Sequence, residues 1–221
     1  MAAPVGIYIY IDRTRHTDGV RYLYQHFIRH TGSYQVPVRT LTDGITKDIM
    51  MIEEIIGTGE IAISDHRSSQ PTFEEFARLA ADTRLGGVLS GKAGVINVHL
   101  GNGARCMELI ERVISETEIP ASQFLPTHVN RNEKLFQKAI EYAVNGGAVD
   151  FTGNEEIDYW ETVCDEVRVC KGIRRMLDAG VNPKHITISS DGQGSLPIFN
   201  EKGEFPVSYT HLRAHETSLH L

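Results

Sequence analysis

From residue 44 onward the chain alternates amphipathic segments with short apolar runs. Apolar residues recur at three- and four-residue steps, which predicts helices over 45–56, 72–85, 104–115, 133–144 and 159–177. Between them lie runs with the length and composition of buried strands, at 61–64, 95–98, 124–129, 148–151 and 185–189. Repeated strand–helix units are typical of an α/β fold built around a parallel sheet.

The number of units leaves two architectures open. Five units in about 150 residues fall short of the eight that close a (β/α)8 barrel of about 250 residues. The pattern therefore predicts either an open doubly wound sheet or part of a barrel. The residues before position 34 contain one plausible strand, at 6–11, and otherwise show no clear period.

Polar side chains follow four of the predicted strands. They are Asp65-His66-Arg67, His99, His128 and Asp191. Because the carboxyl ends of parallel strands meet at one face, we expect these side chains to lie close together. Imidazoles and carboxylates from separate strands suit zinc or a similar divalent ion that keeps positions open for water. Such an ion turns bound water into a hydroxide nucleophile that can attack a carbonyl. The guanidinium groups of Arg67 and Arg131 can form bidentate hydrogen bonds with substrate carboxylates.

Each of these residues also has a simpler interpretation. His66 can belong to a surface ion-pair loop with its two charged neighbours. His99 and His128 can be structural histidines whose ring nitrogens are satisfied within the protein. Asp191 can be the N-cap of a helix, since small residues follow it.

Charge and composition exclude several classes of protein. Lys and Arg number 22 against 29 Asp and Glu, a net charge of −7, so we expect no nucleic-acid partner. No apolar run reaches about 18 residues, and the first charges follow the N-terminal apolar run instead of preceding it, so we expect no membrane association and a cytoplasmic location. Cys106, Cys164 and Cys170 lack a metal-binding spacing, and we expect them to be reduced and buried.

Five sequence blocks, in order, carry a resemblance to a known family. They are TGSYQVPVRT (31–40), GEIAISDHRSSQPT (59–72), VHLGNG (98–103), LPTHVNRN (125–132) and ISSDGQGS (188–195). The chain resembles the isoaspartyl (β-aspartyl) dipeptidases, metallopeptidases of family M38 in the amidohydrolase superfamily. The resemblance implies a (β/α)8 TIM-type barrel of the metallo-dependent hydrolase kind, a centre of two zinc ions, and hydrolysis of small β-aspartyl dipeptides.

The resemblance also implies roles for individual residues. His99 and His128 would ligate one zinc ion, and Asp191 would ligate the other and shuttle protons. Tyr34 would polarise the scissile carbonyl. Arg67, Arg131 and Ser195, together with Tyr34, would hold the polar groups of the substrate.

One departure from the family pattern lies at Glu60. Many members bridge the two metals with a carbamylated lysine at the position five residues before Asp65, where this chain has Glu60. A glutamate supplies the same two anionic oxygens, so we predict Glu60 as the bridging ligand.

The second departure concerns completeness. The superfamily's first barrel strand carries a His-x-His pair, and this sequence contains none. We therefore expect a poorly matched segment over 1–30, a partial catalytic barrel over 31–206 that lacks the first and last strands, and an adaptor-like, non-native tail over 207–221. The family's function is predicted for the product of the parent gene. We expect that intact protein to form homo-oligomers. This chain would lack two ligands of the second zinc ion and have weak or absent activity.

Two other functions stay open at this point. A different amidohydrolase, either dihydroorotase-like or an acyl-amino-acid hydrolase, would share the metal chemistry and differ in substrate. A non-catalytic metal-binding α/β domain would share the fold alone. Substrate profiling distinguishes another amidohydrolase from a β-aspartyl dipeptidase. A zinc content near zero in the folded protein would favour the non-catalytic domain.

Overall fold

The computed structural model of the protein describes residues 7–10, 26–32, 34–153, 157–189, 191, 195–198 and 207–210. The strands are β1 (Ile7–Tyr10), β2 (His26–Thr31), β3 (Ile55–Ile63), β4 (Val95–Leu100), β5 (Phe124–Thr127), β6 (Val149–Thr152), β7 (Ile186–Ser189), β8 (Ser195–Ile198) and β9 (Val207–Thr210). The helices are α1 (Ile45–Met51), α2 (Phe73–Ser90), α3 (Glu108–Glu116), α4 (Glu133–Val144), α5 (Ile157–Cys164) and α6 (Val169–Asp178). None of these described helices has the length and apolar character required to cross a membrane.

The strands follow one another through the main sheet in the order in which they occur in the sequence. That order is β1-β2-β3-β4-β5-β6-β7, while β8 and β9 pair separately and antiparallel. Strand β1 is antiparallel to β2, whereas β2 with β3, β3 with β4, β5 with β6, and β6 with β7 pair in parallel. Helices connect successive parallel strands, as in a (β/α)8 barrel, and the order does not reverse as in a doubly wound sheet. The predicted α/β class, in the form of a partial TIM-type barrel, is confirmed.

By its internal contacts the chain divides into two compact units, Met1–Leu125 and Pro126–Leu221. In the first unit, Phe76 of α2 stacks on Phe124 with ring centroids 5.7 Å apart, and Ile61 and Ile96 of the sheet are fully buried. In the second, Phe136 of α4 packs against Phe151 of β6 at 5.8 Å. Each pair joins the apolar stripe of a helix to the sheet, which is how an α/β unit buries its core.

The ends of α2 show how local sequence sets helix boundaries. Thr72 and Glu75 form a reciprocal capping box at the start, in which each side chain accepts from the other residue's backbone N–H. Gly91 ends the helix in the left-handed conformation, with φ of 70°, which glycine adopts without a steric penalty. The predicted helix over 72–85 is therefore confirmed, and it extends further, to Ser90.

Three helix predictions were wrong in extent. The helix predicted over 104–115 begins four residues later, at Glu108. The segment 45–56 ends as a helix at Met51, and Ile55 already begins β3, because an apolar run that follows a helix continues its periodicity by chance. The segment 159–177 is two helices, α5 and α6, separated at 165–168, where Asp165 has φ of 56°. A single left-handed residue breaks the helix without changing the hydrophobic pattern.

The N-terminal and C-terminal segments gave further differences. Strand β1 confirms the predicted strand at 6–11, but β2 was missed because its sequence, HFIRHT, shows no alternation. Strand β9 lies within the predicted adaptor-like tail and pairs with β8.

Cys106 is buried as predicted, whereas Cys170 is exposed on α6, so the prediction of burial was wrong there. The side chain of Cys164 lies outside the described residues.

Candidate metal and substrate site

Strands β3 and β4 place Glu60 beside His99. Almost every residue of β3 is buried, as expected for a parallel strand covered on both faces, and Glu60 is an exception with 16% of its side chain exposed. In the parallel register of the two strands, Ala62 lies opposite His99. One carboxylate oxygen of Glu60, Oε2, lies 3.3 Å from Nδ1 of the buried His99 ring. His99 is thus inside β4, and not after its end as the sequence suggested.

Asp65 lies immediately beyond the end of β3 and links two of the predicted site residues. Its Oδ1 accepts hydrogen bonds from the backbone N–H and Nε of Arg67, at 2.7 and 2.9 Å, and its Oδ2 accepts from Arg67 Nη2 at 2.8 Å. The same Oδ2 lies 3.2 Å from His99 Nε2. Burial alone would raise the pKa of Asp65, but the hydrogen bonds and charge of Arg67, together with His99, hold that pKa well below its usual range.

The loop after β4 supports the Asp65 segment. A Cβ atom at Gly101 would lie 2.4 Å from the Ser64 carbonyl oxygen and 2.5 Å from Asp65 Cα, so only glycine fits there. The backbone N–H groups of Gly101 and Gly103 donate to the carbonyls of Ile63 and Ser64. The Gly-Asn-Gly sequence after β4 is therefore hydrogen-bonded to the end of β3.

Tyr34, in the loop that precedes α1, lies beside His99 and Arg67. Its ring centroid lies 4.7 Å from that of His99, and the guanidinium carbon of Arg67 lies 5.5 Å from the tyrosine ring centroid. Asp48 of α1, fully buried, organises this loop by accepting hydrogen bonds from the Thr31 hydroxyl and from the backbone and hydroxyl of Thr42. Those hydrogen bonds outweigh the effect of burial and lower the pKa of Asp48.

His30 of β2 is a buried imidazole near this group. Burial lowers its pKa to about 4, against the opposing effect of the Glu60 charge. The ring is therefore neutral at neutral pH.

In the second unit, His128 follows β5 with its backbone in the left-handed region, at φ of 65°. Such a conformation is costly for a residue with a side chain and persists where the surroundings fix it. The ring is buried, and its Nδ1 lies 2.5 Å from the hydroxyl of Thr152 on β6. The hydroxyl of Thr152 therefore fixes the Nδ1 edge of the ring.

A buried amide holds the turn that carries His128 and Arg131. The Asn130 side chain donates to the Thr152 carbonyl and to Glu166 Oε1, both at 3.0 Å, and accepts from the Thr152 backbone N–H at 2.9 Å. Arg131 follows half-buried, and its backbone N–H donates to the His128 carbonyl. The network fixes where the arginine leaves the backbone.

The last two predicted residues lie after β7. Asp191 is half-buried with φ of 48°, and Ser195 begins β8, with its side chain outside the described residues. Residues 192–194 are also outside them, so the N-cap interpretation of Asp191 is untested.

Glu60 and His99 of the first unit and His128 of the second are donors suited to a metal ion, and are called the metal-ligand group below. Among the described residues, Asp191 is not a member of this group. One carboxylate and two buried imidazoles are a donor set that divalent zinc accepts, so these residues fit a zinc ion.

Sequence reasoning missed the residues that hold this group in place. Asp65 was seen only as part of a charged loop, while Asp48, Asn130 and Thr152 gave no motif. Asp65 carried the one usable signal, since an acidic residue directly after a buried strand is placed to meet side chains of the next strand. His66 has 90% of its side chain exposed and lies 3.6 Å from Asp65, in agreement with the surface-loop interpretation.

Comparison with known proteins agrees with the resemblance, although no protein-family model matches the chain. A crystal structure of β-aspartyl dipeptidase from the thermophilic, keratin-degrading Fervidobacterium islandicum AW-1, in complex with the dipeptide β-Asp-Leu, is 45% identical, with a TM-score of 0.72 over 82% of this chain and 46% of that one. A second structure of that bacterium's β-aspartyl dipeptidase is 46% identical, with a TM-score of 0.69 over 75% of this chain and 43% of that one.

The chain spans less than half the length of either solved structure. Within that span, the likeness is too high in both sequence and backbone to reflect the barrel architecture alone. The chain belongs to the β-aspartyl dipeptidase family.

Proposed function

We propose that the protein hydrolyses β-aspartyl dipeptides with a zinc ion held by Glu60, His99 and His128. The observation that carries this proposal is the Glu60 carboxylate, which lies 3.3 Å from the buried His99 imidazole. Its support from outside the chain is the 45% identity to an enzyme solved with β-Asp-Leu.

A divalent ion at these residues would lower the pKa of bound water and polarise the scissile carbonyl. The two imidazoles would act as neutral ligands, and the carboxylate of Glu60 would offset part of the cation's charge. We propose Glu60 as the bridge to a second zinc ion, with Asp191 as a ligand of that ion.

The remaining predicted residues are proposed to hold the dipeptide. A β-aspartyl dipeptide carries two carboxylates, and the guanidinium groups of Arg67 and Arg131 would bind them. Because Asp65 already takes the Nε and Nη2 edge of Arg67, the substrate would meet that guanidinium through Nη1. The Ser195 hydroxyl would bind a further polar group.

Two residues are proposed to act on the reacting atoms. The Tyr34 hydroxyl would donate to the oxygen of the scissile carbonyl as negative charge develops there. A carboxylate oxygen of Asp191 would accept the proton of the attacking water and pass it to the leaving amine. A homo-oligomeric assembly and a cytoplasmic location stay predictions from the sequence and its resemblance.

The test pairs zinc binding with discrimination between two isomeric dipeptides. The purified chain is loaded with zinc, and binding and turnover of β-Asp-Leu are compared with those of α-Asp-Leu. We expect zinc to bind and the β isomer to be preferred, with turnover weak or absent. Rapid turnover would contradict the expectation of weak activity and leave the function itself supported.

The outcomes also separate the alternatives. Preference for a cyclic or acylated amino-acid substrate over β-Asp-Leu would favour another amidohydrolase. Zinc binding without any dipeptide selectivity would favour a non-catalytic metal-binding domain. A folded chain that binds no zinc would overturn the proposal.

A further inference from the structure

We propose that Asp65 is a positioning residue that orients the His99 imidazole for metal binding and the Arg67 guanidinium for substrate binding. This inference rests on the proposed function, because it takes His99 as a metal ligand. Asp65 is not a member of the metal-ligand group formed by the described residues, so its effect would pass through the two side chains that it contacts.

The Asp65 carboxylate and the Arg67 guanidinium form a bidentate ion pair, and the Arg67 backbone N–H donates a third hydrogen bond to the same carboxylate. The Nε and Nη2 atoms of Arg67 meet different oxygens of the carboxylate, at 2.9 and 2.8 Å, and the Arg67 backbone N–H donates at 2.7 Å. Only 4% of the Asp65 side chain is exposed, so water screens these charges little. This geometry fixes the plane of the guanidinium and therefore the direction of its outer edge.

The contact with His99 decides which ring nitrogen carries the proton. The ring lies between two carboxylates, with Nδ1 3.3 Å from Glu60 Oε2 and Nε2 3.2 Å from Asp65 Oδ2. When Nδ1 presents its lone pair to an ion shared with Glu60, the ring proton is on Nε2. Asp65 Oδ2 is then its acceptor, the arrangement in which a ligating histidine donates its other N–H to a carboxylate.

Arg67 Nη2 also lies 3.0 Å from His99 Nε2. A guanidinium only donates, so this contact is a hydrogen bond only when Nε2 has no proton. In the metal-binding tautomer both N–H groups point to Asp65 Oδ2, and the carboxylate charge keeps the two donors together. Removing that charge leaves His99 to accept from Arg67, with its proton on Nδ1, where the metal would bind.

The backbone around Asp65 holds the carboxylate firmly. The Gln70 side chain donates to the Asp65 carbonyl at 2.8 Å, and the Ser64 hydroxyl donates to the Cys106 carbonyl at 2.6 Å. Gly101 packs against the Asp65 Cα. A carboxylate on so fixed a backbone can set the orientation of its partners.

The first experiment measures zinc affinity of the full chain by competition with a chromophoric chelator. Asp65→Asn keeps the shape of the side chain and removes its charge, and we expect zinc to bind about 10- to 100-fold more weakly. His66→Ala is the matched control, since His66 also lies near Asp65 but is exposed, and its zinc affinity should change less than about threefold. Equal zinc affinity in wild type and Asp65→Asn would overturn the inference.

The second measurement reads the tautomer directly in the wild-type chain. Ring nitrogen shifts of ¹⁵N-labelled histidine, assigned to His99 with a His99→Asn variant, should show zinc at Nδ1 and a proton on Nε2. Zinc at Nε2 would overturn the inference, even where Asp65→Asn fails to fold.

The third measurement tests the effect of Asp65 on Arg67 separately from its effect on zinc binding. At saturating zinc, Asp65→Asn should bind β-Asp-Leu about tenfold more weakly, the loss of one charge-assisted hydrogen bond. Unchanged dipeptide affinity would remove Arg67 from the inference. A wild-type chain that binds no zinc defeats the proposed function itself, whereas zinc binding unaffected by Asp65→Asn defeats only the role of Asp65.

Discussion

His99, within the last residues of β4, and His128, directly after β5, differ in their surroundings. His99 lies between the carboxylates of Glu60 and Asp65, with a guanidinium at 3.0 Å. His128 instead meets the neutral hydroxyl of Thr152, on a turn held by the Asn130 amide. One imidazole is oriented by charge and the other by neutral hydrogen bonds.

This difference assigns different tasks to the two regions. Under the proposed function, the charged groups of the His99 region would couple a metal to a charged substrate, because a buried charge responds strongly to the loss of its partner. The neutral hydrogen bonds of the His128 region would fix the geometry of a ligand without adding to the charge of the site. Both histidines looked alike in the sequence, as residues at the ends of successive strands.

The largest effect should come from Glu60→Gln, which removes one of the two carboxylate charges beside His99. The variant loses a direct metal ligand, so zinc affinity should fall by more than the about 100-fold that loss of an outer-shell partner can cost. Chelator competition measures this, with the exposed Glu118→Gln as control. Full zinc occupancy in Glu60→Gln would show that the carboxylate is no ligand.

Asn130→Ala tests the neutral region through stability. Asn130 is 1% exposed, and its removal deprives the Thr152 backbone N–H of its acceptor and Glu166 of a donor. We expect the free energy of unfolding to fall by about 2–4 kcal/mol in urea denaturation. Asn145→Ala, at the exposed end of α4, should cost less than about 1 kcal/mol. A loss as small as the control's would mean that the turn is held by other contacts.

Thr152→Val sharpens the contrast between the two histidines. It removes the hydroxyl beside His128 Nδ1 while keeping a branched side chain, so zinc affinity should fall by about tenfold, at the low end of outer-shell effects. Thr162→Val on the exposed face of α5 should leave zinc affinity unchanged. A larger loss than in Asp65→Asn would reverse the proposed division between the regions.

The smallest effect concerns an ion pair on the surface of the second unit. Hydrogen bonds from Arg175, at 2.8 and 2.5 Å, lower the pKa of Glu133 against the opposing effect of burial. Because the folded pKa is lower than the unfolded one, the pair stabilises the protein above the unfolded pKa of about 4.5, and this contribution is lost as the pH falls through the folded pKa.

The measurement for that pair is unfolding at neutral and acid pH. Glu133→Gln should lower stability at neutral pH by less than about 1 kcal/mol, since both side chains are partly exposed, and the difference should vanish in acid. Glu118→Gln should show no such pH dependence. A difference that grows as the pH falls would contradict the assigned direction.

Much of the fold was readable from hydrophobic periodicity. Helix α4 was predicted to the residue, and strands β4 to β7 were located within two residues at each end. The split between α5 and α6 was not readable, because Asp165 changes backbone conformation without changing the apolar pattern. Strand β2 was missed for a related reason, since it is held by pairing with β3 and not by its own alternation.

The sequence alone determined the strand–helix order and the residue types at the strand ends, because both follow from short-range periodicity and chain order. Through the resemblance it also named Glu60, His99 and His128. Only the tertiary structure decided that Asp65 faces His99 across 34 positions of sequence and that Thr152 meets His128 across 24. Such partners are set by strand register and by backbone conformations such as φ of 65° at His128, which no local pattern encodes.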